Sequence, residues 1–484
     1  MSSFLIRQIP CVKGEVNLAG DKSIAHRSII VSAISPQPTT IENFPTNKDC
    51  LYTVSAFKKL GVRIITPNLK TSKEPTTITV LGKGLYGLRK PKGPIFVGNS
   101  GTTLRLLLGV LAGQDFRVKL VTGKSLSQRP MLRVTKPLRM MGADIIANRK
   151  SQIANRIEEY PPIAIRGGRL KPITYKMPVA SAQVKSAILL AGLYTKGKTR
   201  VIEYISTRDH TERMLKLFKA DIKVNPSTAL CFDRLSIRPE RAKRVEGLRV
   251  DGERSRTIKE NKIVIKGNQE LVSPKKIYIP GDISSASFFM VLAAILPDSQ
   301  ILIRNVSLNP SRTGIIRVLK RMGADIRVSC LVSRVSCFEP MGDIRVKSSK
   351  LKGTIVRNEE IPSLIDELPI LMVAACFACG RTIFKGVGEL RVKETDRIKS
   401  MSENLAKMGG VIQVLKTAKK EGIVIQGVKE LHGSHVRSFA DHRTAMSMVV
   451  AGLKAQGKTW IDDIACINKS FPNFLNLLRS LKNS

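Results

Sequence analysis

Apolar residues in this chain gather into stretches that all end alike. A helix-like run closes on small residues, passes through a turn and resumes as a β-branched strand. This phrase passes through Ala33, Ala112, Ala191, Ala294, Ala375 and Ala451. A second phrase is a helix end, a stopping residue (often Gly), then a strand. Its versions are Leu60-Gly61-Val62-Arg63-Ile64, Met141-Gly142-Ala143-Asp144-Ile145, Phe218-Lys219-Ala220-Asp221-Ile222, Met322-Gly323-Ala324-Asp325-Ile326 and Met408-Gly409-Gly410-Val411-Ile412. Consecutive copies of the first phrase lie 76 to 81 residues apart, except for one gap of 103. Each unit is longer than the roughly 20–50 residues of a solenoid repeat. The pattern predicts six α/β units, read as three plus three in two similar globular halves.

Most of the long gap falls between Cys231 and Lys276, which carries 13 Lys/Arg and 7 Asp/Glu and few large apolar residues. It reads as a solvated basic insertion at the junction of the halves, partly strand because Lys262 to Lys266 alternates. A further pair of segments ties the halves together. Gly20-Asp21-Lys22-Ser23 and Gly281-Asp282-Ile283-Ser284 each open an apolar helix, and only the first carries a lysine. A site built between two similar halves follows from that asymmetry.

Composition narrows the class. A chain of 484 residues can bury a large core and form two domains. No apolar run reaches the ~18 residues of a membrane span. The first motif begins by Gly14, so no cleavable targeting segment is expected and the location is read as cytoplasmic. Eight cysteines are scattered without metal spacing, and the lone Cys376-x-x-Cys379 sits in an apolar helix. The net charge of +43 points toward anions. With one Trp, 5% aromatics and basic residues spread along the chain, small anionic substrates fit better than nucleic acid.

Several polar clusters stand at the starts of apolar helices: Gly20 to Arg27, Gly98-Asn99-Ser100-Gly101-Thr102-Thr103, Ser181-Ala182-Gln183 and Asp441-His442-Arg443. Helix N-termini expose unpaired N–H groups and a partial positive charge, and small residues let an anion approach them. Arg27, Arg129, Arg397 and Arg443 lie in Gly-, Pro- or Asp-punctuated segments, and guanidinium forks suit carboxylate and phosphate. Ile365-Asp366-Glu367 and Lys393-Glu394-Thr395-Asp396-Arg397 add carboxylates in settings that shift proton affinity. Asp396 reads equally as a partner for an arginine or as a helix cap. There is no Walker motif, GxGxxG, HExxH or nucleophile elbow. The residues describe an enzyme without metal or cofactor, handling multiply anionic substrates between two domains.

These motifs resemble the EPSP synthase family of 3-phosphoshikimate 1-carboxyvinyltransferases. The likeness rests on Gly20-Asp21-Lys22-Ser23-x-x-His26-Arg27, Gly98 to Arg105, Ser125-Leu126-x-x-Arg129-Pro130-Met131 and Ser181 to Ser186. It continues through Arg208 to Leu215, Leu364 to Glu367, Glu389 to Arg397, Asp441 to Met446 and Lys469 to Pro472, in family order from about residue 14 to 480. The resemblance implies two domains, each of three βαβαββ units around a pseudo-threefold axis, an inside-out α/β barrel with the active site in the interdomain cleft. The implied division is 22–240 for the N-terminal half, 231–276 for the insertion, and 1–21 plus 277–484 for the C-terminal half. Crossovers are expected near Lys22 and within 231–276.

The implied reaction joins phosphoenolpyruvate to the 5-hydroxyl of shikimate 3-phosphate and releases phosphate, on the route to chorismate and aromatic amino acids. The resemblance assigns Lys22 to both substrates and to proton transfer. It assigns Ser23, Arg27, Ser181, Ala182, Gln183, Arg208, Asp366 and Lys393 to shikimate 3-phosphate. Gly101, Arg129, Gln183, Arg397, Arg443 and Lys469 fall to phosphoenolpyruvate. Asp366 would accept the hydroxyl proton and Glu394 would protonate the enol methylene. A monomer is expected. The chain departs from the family at Lys124, where an acid is usual, at Ala19 for a proline, and at Ala440 for a glycine. The rivals are a sister transferase acting on UDP-N-acetylglucosamine, disfavoured because no cysteine lies near Arg129, and a nucleic-acid-binding protein on the same fold.

Overall fold

The computed structural model describes residues 3–66, 75–152, 156–225, 260–331, 338–416 and 421–481. The expected insertion lies outside the described residues as far as 259. Among the described residues the strands form six small sheets, five of four strands and one of three. One unit shows the common plan. Ile95–Phe96 and Arg117–Val121 are parallel neighbours joined by the buried helix Gly101–Leu111, since a parallel pair needs a crossover. The helix Leu132–Met140 then leads into the antiparallel hairpin of Asp144–Gln152 and Arg156–Arg166, which closes the sheet. The same βαβαββ order recurs in the sheets built from Thr174–Lys266 and Ile355–Gln426.

Two further units exchange their first strands. Lys13–Asn17 runs directly into the helix Lys22–Ala33, yet pairs in parallel with Gln300–Ser307. Lys276–Tyr278 runs into the helix Ile283–Ile295, yet pairs in parallel with Pro38–Phe44. The two tetrapeptides noted in the sequence are therefore the two crossovers, and they lie side by side. Gly20 and Gly281 form an isolated antiparallel bridge. The Asp21 amide donates to Pro280 O at 2.8 Å, and the Asp282 amide to Ala19 O at 3.1 Å. Gly20 also donates to Asn43 O and Gly281 to Asn305 O. Each Asn sits at positive φ within a bulge of its strand. A Cβ on Gly20 would lie 2.3 Å from Asn43 O, so only glycine fits there.

This arrangement corrects the expected boundaries. The second crossover lies at Pro280-Gly281, downstream of 231–276. Asn261–Lys266 is the central strand between Lys198–Glu203 and Ile222–Asn225. Ile263, Ile265, Leu271, Ile277 and Ile279 pack in the first core. The first half therefore runs on to Ile279, because its third sheet needs that strand and its first sheet needs Lys276–Tyr278. In the sixth unit, Phe4–Arg7 pairs antiparallel with Lys458–Ile461, so the N-terminal strands belong to the second half.

Each half holds its own hydrophobic core around three inner helices. In the second half, Leu368–Cys376 is buried along its whole length, and Ile283–Ile295 and His442–Lys454 nearly so. Helices apolar all round belong in an interior. The outer helices bury one stripe only, as in Lys48–Lys59, where Cys50, Thr53, Val54 and Phe57 turn inward. The repeated stop phrase has a common cause. Gly61, Gly142, Lys219, Gly323 and Gly409 all take positive φ after an outer helix and turn the chain into its strand. Among the described residues no helix is long and apolar enough to cross a membrane.

Candidate functional site

All six inner helices direct their N-terminal ends to one cleft of about 360 Å³ between the halves. Side-chain caps fix most of these starts. Asp21 accepts from the Ile24 amide, Ser100 from Thr103, Ser181 from Val184, Asp282 from Ser284, and Asp441 from Arg443 and Thr444. The caps hold the small residues after them, so the helix ends present N–H groups toward the cleft.

From the first half, Lys22, Ser23 and Arg27 line the cleft along one helix, and Gly101 and Arg129 line it nearby. Ser181, Ala182 and Gln183 come from a third helix start, and Arg208 from the loop before the helix His210–Leu217. From the second half come Asp366, Lys393, Glu394, Arg397 and Arg443. Lys469 is not in the lining; its Nζ donates to Ala440 O at 3.4 Å. Its neighbour Ser470 reaches the site instead, accepting from Lys22 Nζ at 3.1 Å. Lys124 is exposed and outside the lining. Ala440, where the family's glycine is usual, takes a φ of +55°.

The two central carboxylates are held by cations from both halves. Asp366 lies 2.6 Å from Arg208, 3.5 Å from Arg397, 3.8 Å from Arg443 and 4.0 Å from Lys393. Arg443 also donates to its backbone O at 2.7 Å. Burial would raise the Asp366 pKa, but Arg443, Arg208, Lys393 and Arg397 outweigh it and hold the carboxyl well below the usual range. Glu394 lies against Arg397 of its own segment and 3.3 Å from Arg129 of the other half. Burial again works upward, and Arg397 and Arg129 again bring it well below the usual range. Both groups are ionised near neutral pH.

The cations are positioned by groups that the sequence did not reveal. Lys22 Nζ pairs with Asp49 at 3.1 Å. Burial would lower the Lys22 pKa, but Asp49 and Glu394 more than compensate and it is raised. Arg397 is oriented by Asp441, with Nε to Oδ2 at 2.9 Å. Asp396 instead caps the helix Arg397–Lys407 through the Lys399 amide and pairs with Arg391. Arg27 donates to Thr211, Ser23 O and Ser186, and burial pushes it down to about 10. Arg105 binds Gln183 Oε1 at 2.7 Å and is pushed down to about 9, by burial first and then by Arg129 and Arg133. Both arginines remain charged near neutral pH. Burial pushes His442 down to about 3, so its ring is neutral beside these cations.

Asn47-Lys48-Asp49 reads as a helix start, and Gly101 to Arg105 as an anion loop. Neither pattern shows which cation or amide the side chain meets across the fold. The cleft thus combines two central carboxylates, two lysines and a shell of guanidiniums from both halves. Chemically it suits proton transfer on a substrate carrying several negative charges.

The family profile described as EPSP synthase (3-phosphoshikimate 1-carboxyvinyltransferase) matches residues 6–258 and 247–478. A protein of Desulforamulus reducens named 3-phosphoshikimate 1-carboxyvinyltransferase is 43% identical over 477 residues, covering 99% of each chain. One of the same name from Citrifermentans bemidjiense is 42% identical over 481 residues, again covering 99% of each. The solved EPSP synthase of Acinetobacter baumannii superposes with a TM-score of 0.78 at 39% identity, covering 99% of this chain and 98% of that one. The enolpyruvyl transferase NikO of Streptomyces tendae shares the fold, with a TM-score of 0.67 at 16% identity, covering 99% of this chain and 97% of that one.

Proposed function

The chain belongs to the EPSP synthase (3-phosphoshikimate 1-carboxyvinyltransferase) family, and we infer its chemistry from that premise and from the cleft. It is an enzyme that transfers the enolpyruvyl group of phosphoenolpyruvate to the 5-hydroxyl of shikimate 3-phosphate, giving 5-enolpyruvylshikimate 3-phosphate and phosphate. The names of its relatives favour this acceptor over a sugar nucleotide.

The observation that carries the mechanism is the pairing of Asp366 and Glu394 with guanidiniums from both halves in one cleft. Ser23, Arg27, Ser181, Ala182, Gln183, Arg208 and Lys393 hold shikimate 3-phosphate in this scheme. Gly101, Arg129, Gln183, Arg397 and Arg443 hold phosphoenolpyruvate, and Lys22 touches both. Lys469, which lies outside the lining, leaves its contact with Ala440 O to join. Anions beside a carboxylate raise its pKa, and phosphoenolpyruvate brings a carboxylate and a phosphate. As these pair with Arg129 and Arg397, Glu394 loses its hold on those cations and becomes able to carry a proton.

Glu394 then protonates the methylene carbon while the 5-hydroxyl oxygen attacks the adjacent carbon, with its proton passing to Asp366. The second step breaks the bond between that carbon and the phosphate oxygen, and the leaving phosphate takes the proton held by Asp366. The methyl group returns one proton to Glu394, and the vinyl double bond reforms. Lys22 and the arginines stabilise charge on the departing phosphate.

The direct test is phosphate release, which should require both phosphoenolpyruvate and shikimate 3-phosphate and no other addition. Release from phosphoenolpyruvate alone, or only with UDP-N-acetylglucosamine, would overturn the assignment. Work as a monomer in the cytoplasm belongs to the same proposal.

Gly101 offers a second check. A Cβ there would lie 2.6 Å from Arg105 Nη1 and 3.6 Å from Arg129 Nη1. The first is the far end of a flexible side chain, so the protein should fold, with Arg105 pushed from Gln183. Gly101→Ala is expected to raise KM for phosphoenolpyruvate and to leave shikimate 3-phosphate binding nearly unchanged in titration. Equal weakening of both would mean that the loop as a whole has moved.

A further inference from the structure

One side of the cleft, lined by Asp282, Ser284 and Arg312, belongs to a polar cluster that none of these roles uses. At its centre is Arg312, only 2% exposed, on the loop before the helix Gly314–Arg321. Its Nη1 donates to Asp21 Oδ2 at 3.0 Å, and its Nη2 donates to Ser284 Oγ at 2.7 Å. Asp282 lies 3.6 Å away and Glu367 3.9 Å away. Ser284 Oγ in turn donates to Glu367. One guanidinium thus contacts the capping acids of both crossovers and, through one hydroxyl, the residue next to Asp366.

The neighbours in sequence give this cluster its meaning. Asp21 caps the helix whose first residue is Lys22. Glu367 directly follows Asp366 and is itself fully buried. Lys22 and Asp366 come from different halves, so the packing of the halves sets their separation. Arg312 belongs to the second half, while Asp21 stands where the chain enters the first. Burying an arginine among three acids carries a desolvation penalty of several kcal/mol per ion, and well-packed apolar residues often do as well for stability. A planar fork with fixed donor directions is suited to holding several partners in register.

We propose that Arg312 is a positioning residue for the reaction, fixing the start of the Lys22 helix against the Asp366-Glu367 segment across the boundary between the halves. The role rests on the reaction assigned above.

Two variants test it, each with kcat, KM for both substrates and the thermal midpoint measured. Ser284→Ala removes only the hydroxyl that joins Arg312 to Glu367. Arg312→Lys keeps the charge and loses the fork. Misplacement by about 1 Å can cost on the order of 100-fold, so kcat is expected to fall roughly 10- to 100-fold in each, with both KM values little changed. The double variant should be no slower than Arg312→Lys alone, because both act through one contact. Unchanged kcat in Ser284→Ala, with or without a lower midpoint, would overturn the proposal and leave a packing role. Ser284→Ala decides the matter alone if Arg312→Lys does not fold. The unaltered protein, run in the same assay, separates the two claims. Its silence would overturn the reaction and with it this role, whereas normal turnover in all three variants would overturn only the role.

Discussion

Asp366→Asn is expected to lower kcat by at least ~100-fold, the lower range for loss of a general base, without weakening phosphoenolpyruvate binding. The substitution keeps shape and removes one negative charge from among Arg208, Arg397, Arg443 and Lys393. Those cations are then freer to take an anionic ligand, so KM for phosphoenolpyruvate should hold or fall while turnover collapses. Stability should move the other way. The folded pKa of Asp366 is depressed, so its contribution is present above the ordinary value of 3.8 and lost as pH falls through the lower folded value. At neutral pH the asparagine variant forfeits that contribution and leaves four cations facing each other. Its midpoint should drop without ligand and recover when phosphate or phosphoenolpyruvate is added. Near-normal kcat would mean that Asp366 only balances charge, and the proposed proton transfer would fail with it.

Much of this was legible in the sequence because repetition is a local signal. The helix-to-strand phrase through Ala33, Ala112 and their counterparts marked every inner helix, and the stop phrase marked five outer ones. Even Lys219, where the other copies have glycine, takes the same left-handed turn, since the fold needs that conformation at that position. The strand exchange between Lys13–Asn17 and Lys276–Tyr278 was not legible from local pattern. Each strand looks like the natural first strand of the helix that follows it, and only pairing partners hundreds of residues away show otherwise. The boundary near 240 erred for a related reason. The alternation at Lys262 to Lys266 was legible as a strand, but its place in the first half's third sheet was not, because its apolar face is complete only against Val201 and Ile222.

At the site, residues in contiguous motifs came together, while their long-range partners escaped notice. Asp49, Asp441 as the holder of Arg397, Ser470 and Arg312 act through three-dimensional contacts. Charge alone was a poor guide, because +43 favours every anion and distinguishes none.

Three acids within the second half offer the sharpest separation of chemistry from structure. Glu394→Gln should cost at least ~100-fold in kcat, because an amide keeps the contacts to Arg397 and Arg129 but cannot deliver a proton to carbon. Asp396 stands two residues away and has a different task. It caps the helix Arg397–Lys407 through the Lys399 amide and pairs with Arg391, and it does not hold Arg397. Asparagine caps about as well as aspartate, so Asp396→Asn should leave both stability and kcat close to normal. Asp396→Ala should lose about 1 kcal/mol of stability and still turn over, because Asp441 continues to orient Arg397. Asp441→Asn should show the reverse, with kcat falling as Arg397 loses its charged partner. These variants, read side by side by steady-state kinetics and thermal unfolding, distinguish proton transfer from charge balance. If Glu394→Gln and Asp396→Asn behave alike, with turnover near normal in both, the acid role of Glu394 is wrong. If Glu394→Gln alone is slow, the two neighbouring carboxylates do different work, as their contacts imply.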